Sequence, residues 1–280
     1  MEEADTMNTL KRYAVVTGGN KGIGFEICRQ LASDGVVVVL TARSEKRGTE
    51  AVEKLRSCYG LPHHSVVFHQ LDVVHPSSVS SLLQFVKINF GKLDILGGKL
   101  NWKGILTQNY ELTEECFEIN YYGTKRMVEA FLPLLQLSKS PRIVNLSSSW
   151  AKLENIGNKR AKRVLSNVEG EAVEVDEVVS EYLEDFRKGA AAMQEKGWPS
   201  FMSAYAVSKA AMNAYSRIIA HNFPSCQVNC VHPGYVKTDI TYQTGDITAQ
   251  EGASAVVRVA LQPEDGPSGV FFDRQQLISF

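Results

Sequence analysis

Residues 13–24 read YAVVTGGNKGIG, from Tyr13 to Gly24, and the fold turns on this stretch. Tyr13–Thr17 is a run suited to a buried strand. It passes into glycines at 18, 22 and 24, and a helical period follows in which Ile23, Ile27 and Leu31 recur every four residues. Gly18 permits the tight turn out of the strand. Gly22 lets backbone amides approach a phosphate, and Gly24 lets helix and strand pack closely. The helix start then offers free N–H groups and a positive dipole end to a pyrophosphate. The spacing is TGxxxGxG, and its weight comes from the strand–turn–helix context rather than from the glycines alone. Gly18, Asn20, Lys21, Gly22, Ile23 and Gly24 are the candidate dinucleotide contacts here.

Outward from that turn, apolar runs alternate with helical patterns. Strands are expected at Val36–Thr41, Val66–Leu71, Leu93–Leu96, Arg142–Ser147 and Gln227–Val231, with a further one at Gly269–Phe272. Helices are expected from Gly22, around Ala51–Leu55, at Val79–Phe90, around Leu112–Leu135 and at Ser203–Phe223. Strands that are continuous apolar runs separated by helices imply an α/β, Rossmann-like doubly wound parallel sheet covered on both faces. The whole chain, 1–280, is expected to form one domain. Residues 150–202 interrupt the rhythm with a basic and then an acidic stretch. Within it Val175, Val178, Val179, Tyr182, Leu183 and Phe186 share one helical face, so an amphipathic helical insertion or lid is expected there.

Composition narrows the function classes. With 280 residues and 44% hydrophobic content, the chain can bury a sizeable core. A formal net charge of -1 gives no bulk attraction for nucleic acid or anionic membrane. The N-terminus is acidic without an apolar run, and Val36–Leu40 is far too short to span a bilayer. Five cysteines, an odd number without a CxxC pair, suggest reduced thiols, no zinc site and a cytoplasmic location.

Two further signals carry chemistry. The second strand ends in Thr41-Ala42-Arg43, where a carboxylate would hold a ribose 2′-OH; Arg43, with Lys21, instead suits a 2′-phosphate, so the expected coenzyme is NADPH/NADP+. Tyr205 and Lys209 stand four apart on a helix and share a face. A free phenol has a pKa of about 10, and a neighbouring cation is expected to lower it, so that Tyr205 serves as proton donor to an alkoxide forming from a ketone. Ser147, Ser148 and Ser149 follow the fifth strand at the carboxyl edge, where one hydroxyl can hold the carbonyl and others cap the chain.

These residues together resemble the short-chain dehydrogenase/reductase family, over almost the whole chain, and within it the plant group of salutaridine and menthone–neomenthol reductases. The likeness is carried by TGGNKGIGFEICRQLA, VVLTAR, FHQLDV, PLLQLSKSPRIVNLSSS, GWPS before AYAVSKAAMNAY, VNCVHPGYVKTD and DGPSGVFF. The resemblance implies Tyr205 as general acid, Lys209 as its partner and nicotinamide-ribose ligand, Ser148 as the carbonyl-positioning serine, and Asn120 as the holder of a relay water. It implies Asp72 and Val73 beside adenine, and Pro233, Gly234, Val236 and Thr238 around the nicotinamide. The implied reaction is hydride transfer from NADPH to a ketone of a hydrophobic cyclic plant metabolite, a terpenoid or alkaloid, by a monomer without nucleic-acid or membrane partners.

The sequence departs from the family after the fourth strand. The family's NNAG is replaced by Gly97-Gly98-Lys99-Leu100-Asn101-Trp102, and the segment before the helix of Asn120 is shorter. Two alternatives therefore stay open: an inactive or weakly active coenzyme-binding relative, and a reductase of an enone C=C bond.

Overall fold

The computed structural model describes residues 11–98 and 109–280. Its first strand, β1 (Tyr13–Thr17), is buried at every position, as a strand covered on both faces must be. The glycine turn leads into α1 (Gly22–Ser33), which buries Ile23, Ile27 and Leu31 on one face. Alternation continues through β2 (Val37–Ala42), α2 (Glu45–Tyr59), β3 (Val66–Gln70), α3 (Pro76–Phe90) and β4 (Ile95–Gly98). Helix α4 (Tyr110–Phe117), a π-helical turn (Glu118–Tyr122) and α5 (Gly123–Leu135) follow one another without a break. Then come β5 (Arg142–Leu146), α6 (Lys159–Ser166), α7 (Ala172–Lys188), α8 (Ala190–Glu195), α9 (Ser203–Asn222), β6 (Gln227–His232), α10 (Ala249–Ala260), β7 (Phe271–Asp273) and β8 (Gln276–Ile278).

Among the described residues the sheet has eight strands in the order β3-β2-β1-β4-β5-β6-β7-β8, all parallel except β8. The chain is a single Rossmann-like α/β domain. Strand order reverses between β1 and β4, which opens a crevice at the carboxyl ends there. One apolar layer, with Leu82, Phe117, Phe131, Val207 and Tyr215, lies under α3, α4, α5 and α9. The other, with Ile27, Leu31, Leu55 and Val256, lies under α1, α2 and α10.

Strand β4 begins and ends two residues later than the apolar run Leu93–Leu96 suggests. The cause is Asp94, whose buried carboxylate accepts bonds from the Tyr13 amide (2.8 Å), Lys92 Nζ (3.0 Å) and Ser138 Oγ (2.5 Å) and so anchors the entry to the strand. At its other end Gly98 pairs with Thr17 of β1 and Asn145 of β5. Gly98 has φ +125°, and a Cβ there would stand 2.4 Å from both the amide nitrogen and the carbonyl oxygen of Thr17. Only glycine fits. The rest of the departing segment, Lys99 to Trp102 included, lies outside the described residues.

The 150–202 segment is helical. Val175, Val178, Val179 and Tyr182 of α7 are fully buried, with the Tyr182 ring 5.0 Å from Phe117 and 5.1 Å from Trp198. Helix α10 and strand β8 have no counterpart in the sequence expectations. The sign for α10 was present in Thr248 and Glu251, which form a capping box at its start.

Candidate active site

Three groups of residues meet at the carboxyl ends of β1, β4, β5 and β6. The first is the glycine turn. Gly18 and Gly22 have φ of +62° and +56°, conformations that the absence of a side chain makes inexpensive. A Cβ on Gly24 would stand 2.3 Å from the Gly18 carbonyl oxygen, so this glycine lets α1 start against the turn. Lys21, the residue preceding α1, makes no capping bond with its side chain, which leaves the first-turn amides for a ligand. Ile23 points into the core, so only its backbone is available.

Beside the turn lies a cleft of about 110 Å³, lined by Thr17, Gly18, Asn20, Lys21, Ala42, Arg43, Ser44, Arg47, Leu71, Asp72, Val73 and Ile119. It gathers the predicted residues Gly18, Asn20, Lys21, Arg43, Asp72 and Val73. The Asp72 carboxylate accepts from the Val74 amide (3.1 Å) and so shapes the turn after β3. Sequence reading missed Arg47, which sits in the first turn of α2 with its amide bonded to Ser44 Oγ. Its signal was a second basic residue four positions after Arg43.

The second group holds Asn120, Ser148, Tyr205 and Lys209. Asn120 lies in the π-helical turn and is fully buried. Its Nδ2 donates to Ser208 Oγ at 3.1 Å and to Cys116 Sγ at 3.4 Å, while its main-chain carbonyl accepts from Thr124 Oγ1 at 2.9 Å. Ser208 Oγ in turn donates to the Tyr205 carbonyl at 2.9 Å. Lys209 is buried, and its Nζ donates to the Leu146 carbonyl at the end of β5 at 2.6 Å. Ser148 Oγ accepts from the Trp150 amide at 3.3 Å. Ser147 is a packing residue, its hydroxyl bonded to Asn213 Oδ1 at 2.7 Å.

The expectation that a cation lowers the Tyr205 pKa is corrected here. Its pKa is pushed up to about 12, chiefly by burial, against which a hydrogen bond with Ser148 acts in the other direction. Taking the half-buried ring out of water disfavours its charged form by more than that bond favours it. Tyr205 is therefore a phenol, ready to donate a proton, across the neutral range.

The third group is the loop after β6. Pro233, Gly234, Val236 and Thr238 lead from the strand to the short 3-10 turn Asp239–Thr241. Gly234 has φ +92°, and a Cβ on Gly22 would stand 3.4 Å from Thr238 Cγ2, so loop and glycine turn face each other. Lys21 Nζ also reaches Asp239 Oδ2 at 2.6 Å, with both side chains largely exposed. In the chain segments that flank the second group, the rings of Trp150 and Phe201 approach to 5.6 Å, 40% and 53% exposed. They follow Ser148 by two residues and precede Tyr205 by four. No helix among the described residues is long and apolar enough to cross a membrane.

A family model described as short chain dehydrogenase matches residues 12–159, and one described as Enoyl-(Acyl carrier protein) reductase matches residues 190–272. The chain is 52% identical to a (+)-neomenthol dehydrogenase of Arabidopsis thaliana, covering 96% of this chain and 98% of that one. That pairing runs over 292 positions, more than the 280 residues here, so the relative carries residues that this chain lacks. The solved structure of salutaridine reductase from Papaver somniferum superposes with a TM-score of 0.87 at 46% identity, over 94% of this chain and 99% of that one. The chain is also 35% identical to "Carbonyl reductase [NADPH] 1" of Mus musculus, over 95% of this chain and 97% of that one.

Proposed function

This chain belongs to the short-chain dehydrogenase/reductase family and is an oxidoreductase of alcohol and ketone groups; on that premise we propose that it is an NADPH-dependent reductase of a hydrophobic cyclic ketone, a terpenoid or alkaloid, with Tyr205 as the proton donor. The observation that carries the reading is the meeting of Asn120, Ser148, Tyr205 and Lys209 at the carboxyl end of β5, with the Tyr205 phenol hydrogen-bonded with Ser148.

The residues present fit a phosphorylated dinucleotide. Gly18 and Gly22 hold the turn at positive φ, Gly24 has no room for a side chain, and Arg43 and Arg47 line the adjoining cleft with no carboxylate at the end of β2. The carbonyl reductase of mouse carries NADPH in its name, which supports the same choice. When bound, NADPH supplies the hydride. Asn20, Gly22, Ile23 and Gly24 offer backbone to the pyrophosphate, Asp72 and Val73 flank the adenine side, and Pro233, Gly234, Val236 and Thr238 border the nicotinamide side. Ser148 Oγ donates to the substrate carbonyl oxygen and fixes its direction. As the carbonyl carbon is reduced, charge develops on that oxygen and Tyr205 transfers its phenolic proton there. Lys209 stabilises the phenolate that remains and holds the nicotinamide ribose. The apolar Trp150–Phe201 pair gives a cyclic hydrocarbon skeleton a face to lie against.

Tyr205→Phe is expected to lower kcat by about 100- to 10,000-fold. The thermal stabilisation produced by NADPH is expected to remain. Turnover of cyclic ketones that survives this substitution would overturn the assignment. Stabilisation by NADPH without turnover in the wild type would leave a coenzyme-binding relative. Product mass and chirality separate C=O from C=C reduction.

A further inference from the structure

The two arginines of the cleft stand at a turn that β3 holds from beside. Strands β2 and β3 run parallel, with Leu40 opposite Phe68 and Ala42 opposite Gln70. Where the pairing ends, the Leu71 amide donates to the Ala42 carbonyl at 3.0 Å. One residue further on, Gln70 Nε2 donates to the Arg43 carbonyl at 2.8 Å. Only the amide nitrogen can face a carbonyl oxygen, so this bond also fixes which way the Gln70 amide lies. The side chain thus carries the pairing one residue past the end of β2. Phe68, two residues before Gln70 and on the same face of β3, holds the helix that follows Arg43. Its ring fills the place of a side chain at Gly48, where a Cβ would stand 1.9 Å from Phe68 Cε2. Ser44 caps that helix, its Oγ accepting from the Arg47 amide. Arg43 is therefore held by Gln70 through its own carbonyl and by the cap that follows it, and both arginines line the cleft. Gln70 is exposed and does not line the cleft itself.

We propose that Gln70 is a positioning residue for coenzyme choice: it holds the Arg43 backbone so that the guanidinium is presented to a 2′-phosphate, and so favours phosphorylated over unphosphorylated dinucleotides. This role rests on Arg43 being the partner of the 2′-phosphate, as proposed above. Gln70 touches neither coenzyme nor substrate; it acts through Arg43. An arginine that clamps an anion through two parallel bonds gives up conformational freedom as it does so. A backbone already held leaves less to be lost on binding. The gain falls on ligands that carry the 2′-phosphate, because a ribose 2′-hydroxyl offers the guanidinium no charged partner.

Binding, measured by calorimetry without turnover, tests it. Wild type, Gln70→Met and Gln70→Ala are titrated with NADPH, NADH, adenosine 2′,5′-bisphosphate and AMP. Methionine keeps the length of the side chain and removes its donor. With one hydrogen bond at stake, both variants should bind NADPH and the bisphosphate about three- to tenfold more weakly, and NADH and AMP within about twofold of wild type. In an Arg43→Ala background, Gln70→Met should change the affinity for the bisphosphate by less than about twofold. Equal weakening of phosphorylated and unphosphorylated ligands would make Gln70 a general brace of the fold and overturn the inference. So would a loss that persists without the Arg43 guanidinium, or a wild-type preference that both variants retain in full. A wild type that binds NADH as tightly as NADPH would instead bring down the phosphate reading itself, and the role of Gln70 with it.

Discussion

Arg43 and Arg47 reach one cleft from the end of β2 and from the first turn of α2, and Lys21 reaches it from the glycine turn. A guanidinium pairs with phosphate through two parallel bonds, each charge-assisted. Arg43→Ala should therefore raise the KM for NADPH by about tenfold or more, with little effect on NADH, read from initial rates with each coenzyme. Arg43 was legible in the sequence because it stands where an acidic residue would otherwise be. Arg47 was not, because a basic residue near a helix start is ordinarily a solvated one. The 3.5 Å approach of Cys116 Sγ and Ser208 Oγ was equally hidden: it joins α4 to α9 across more than ninety residues of chain, and nothing in either local pattern reports it. The direction of the Tyr205 pKa could not be read either. It depends on how far the ring is withdrawn from water, which is a property of packing.

At the scale of elements, β4 shows how a departure from the family pattern is absorbed. Gly97 and Gly98 extend the strand to its full register between β1 and β5, and Gly98 meets the Thr17 backbone too closely for any side chain. Gly98→Ala should lower stability by about 3 kcal/mol in denaturant unfolding, from left-handed strain and the contact with Thr17 together. A much smaller loss would mean that the strand end relaxes. Strands β1, β2, β3, β5 and β6 were read from the sequence to within about a residue at each end, since unbroken apolar runs leave little freedom. Strand β4 slipped by two because Asp94, apolar in neither character nor partners, is nevertheless buried at the entry. Helix α10 went unread even though Thr248 and Glu251 mark its start. Its Val-rich face also suits a strand by composition.

Over the whole molecule, the layer between the sheet and α4, α7 and α9 contains three phenols, Tyr121, Tyr182 and Tyr215, all buried and all with pKa raised, chiefly by burial. Each stays protonated in the folded chain above the pH at which it ionises when unfolded. Their contribution to stability is thus complete below about pH 10 and is lost as pH rises further. The slope should approach about 1.4 kcal/mol per pH unit for each phenol, visible in thermal unfolding between neutral and strongly alkaline buffer. A midpoint that does not fall above pH 10 would show that these rings are wetter than the packing implies.

The contact of Lys21 with Asp239 ties the first turn of the chain to a loop that lies 218 residues later. Exposed as it is, this pair adds under about 1 kcal/mol to folding. Its weight is felt when a polyanion arrives, since the ammonium that holds the aspartate also lines the cleft beside the glycine turn. Capture of the coenzyme is then an exchange of counter-ions, and dissolved electrolyte competes on both sides of it. Raising ionic strength from about 0.01 M to 0.15 M, which shortens the reach of charge from about 30 Å to 8 Å, should weaken NADPH binding more in the wild type than in Lys21→Ala.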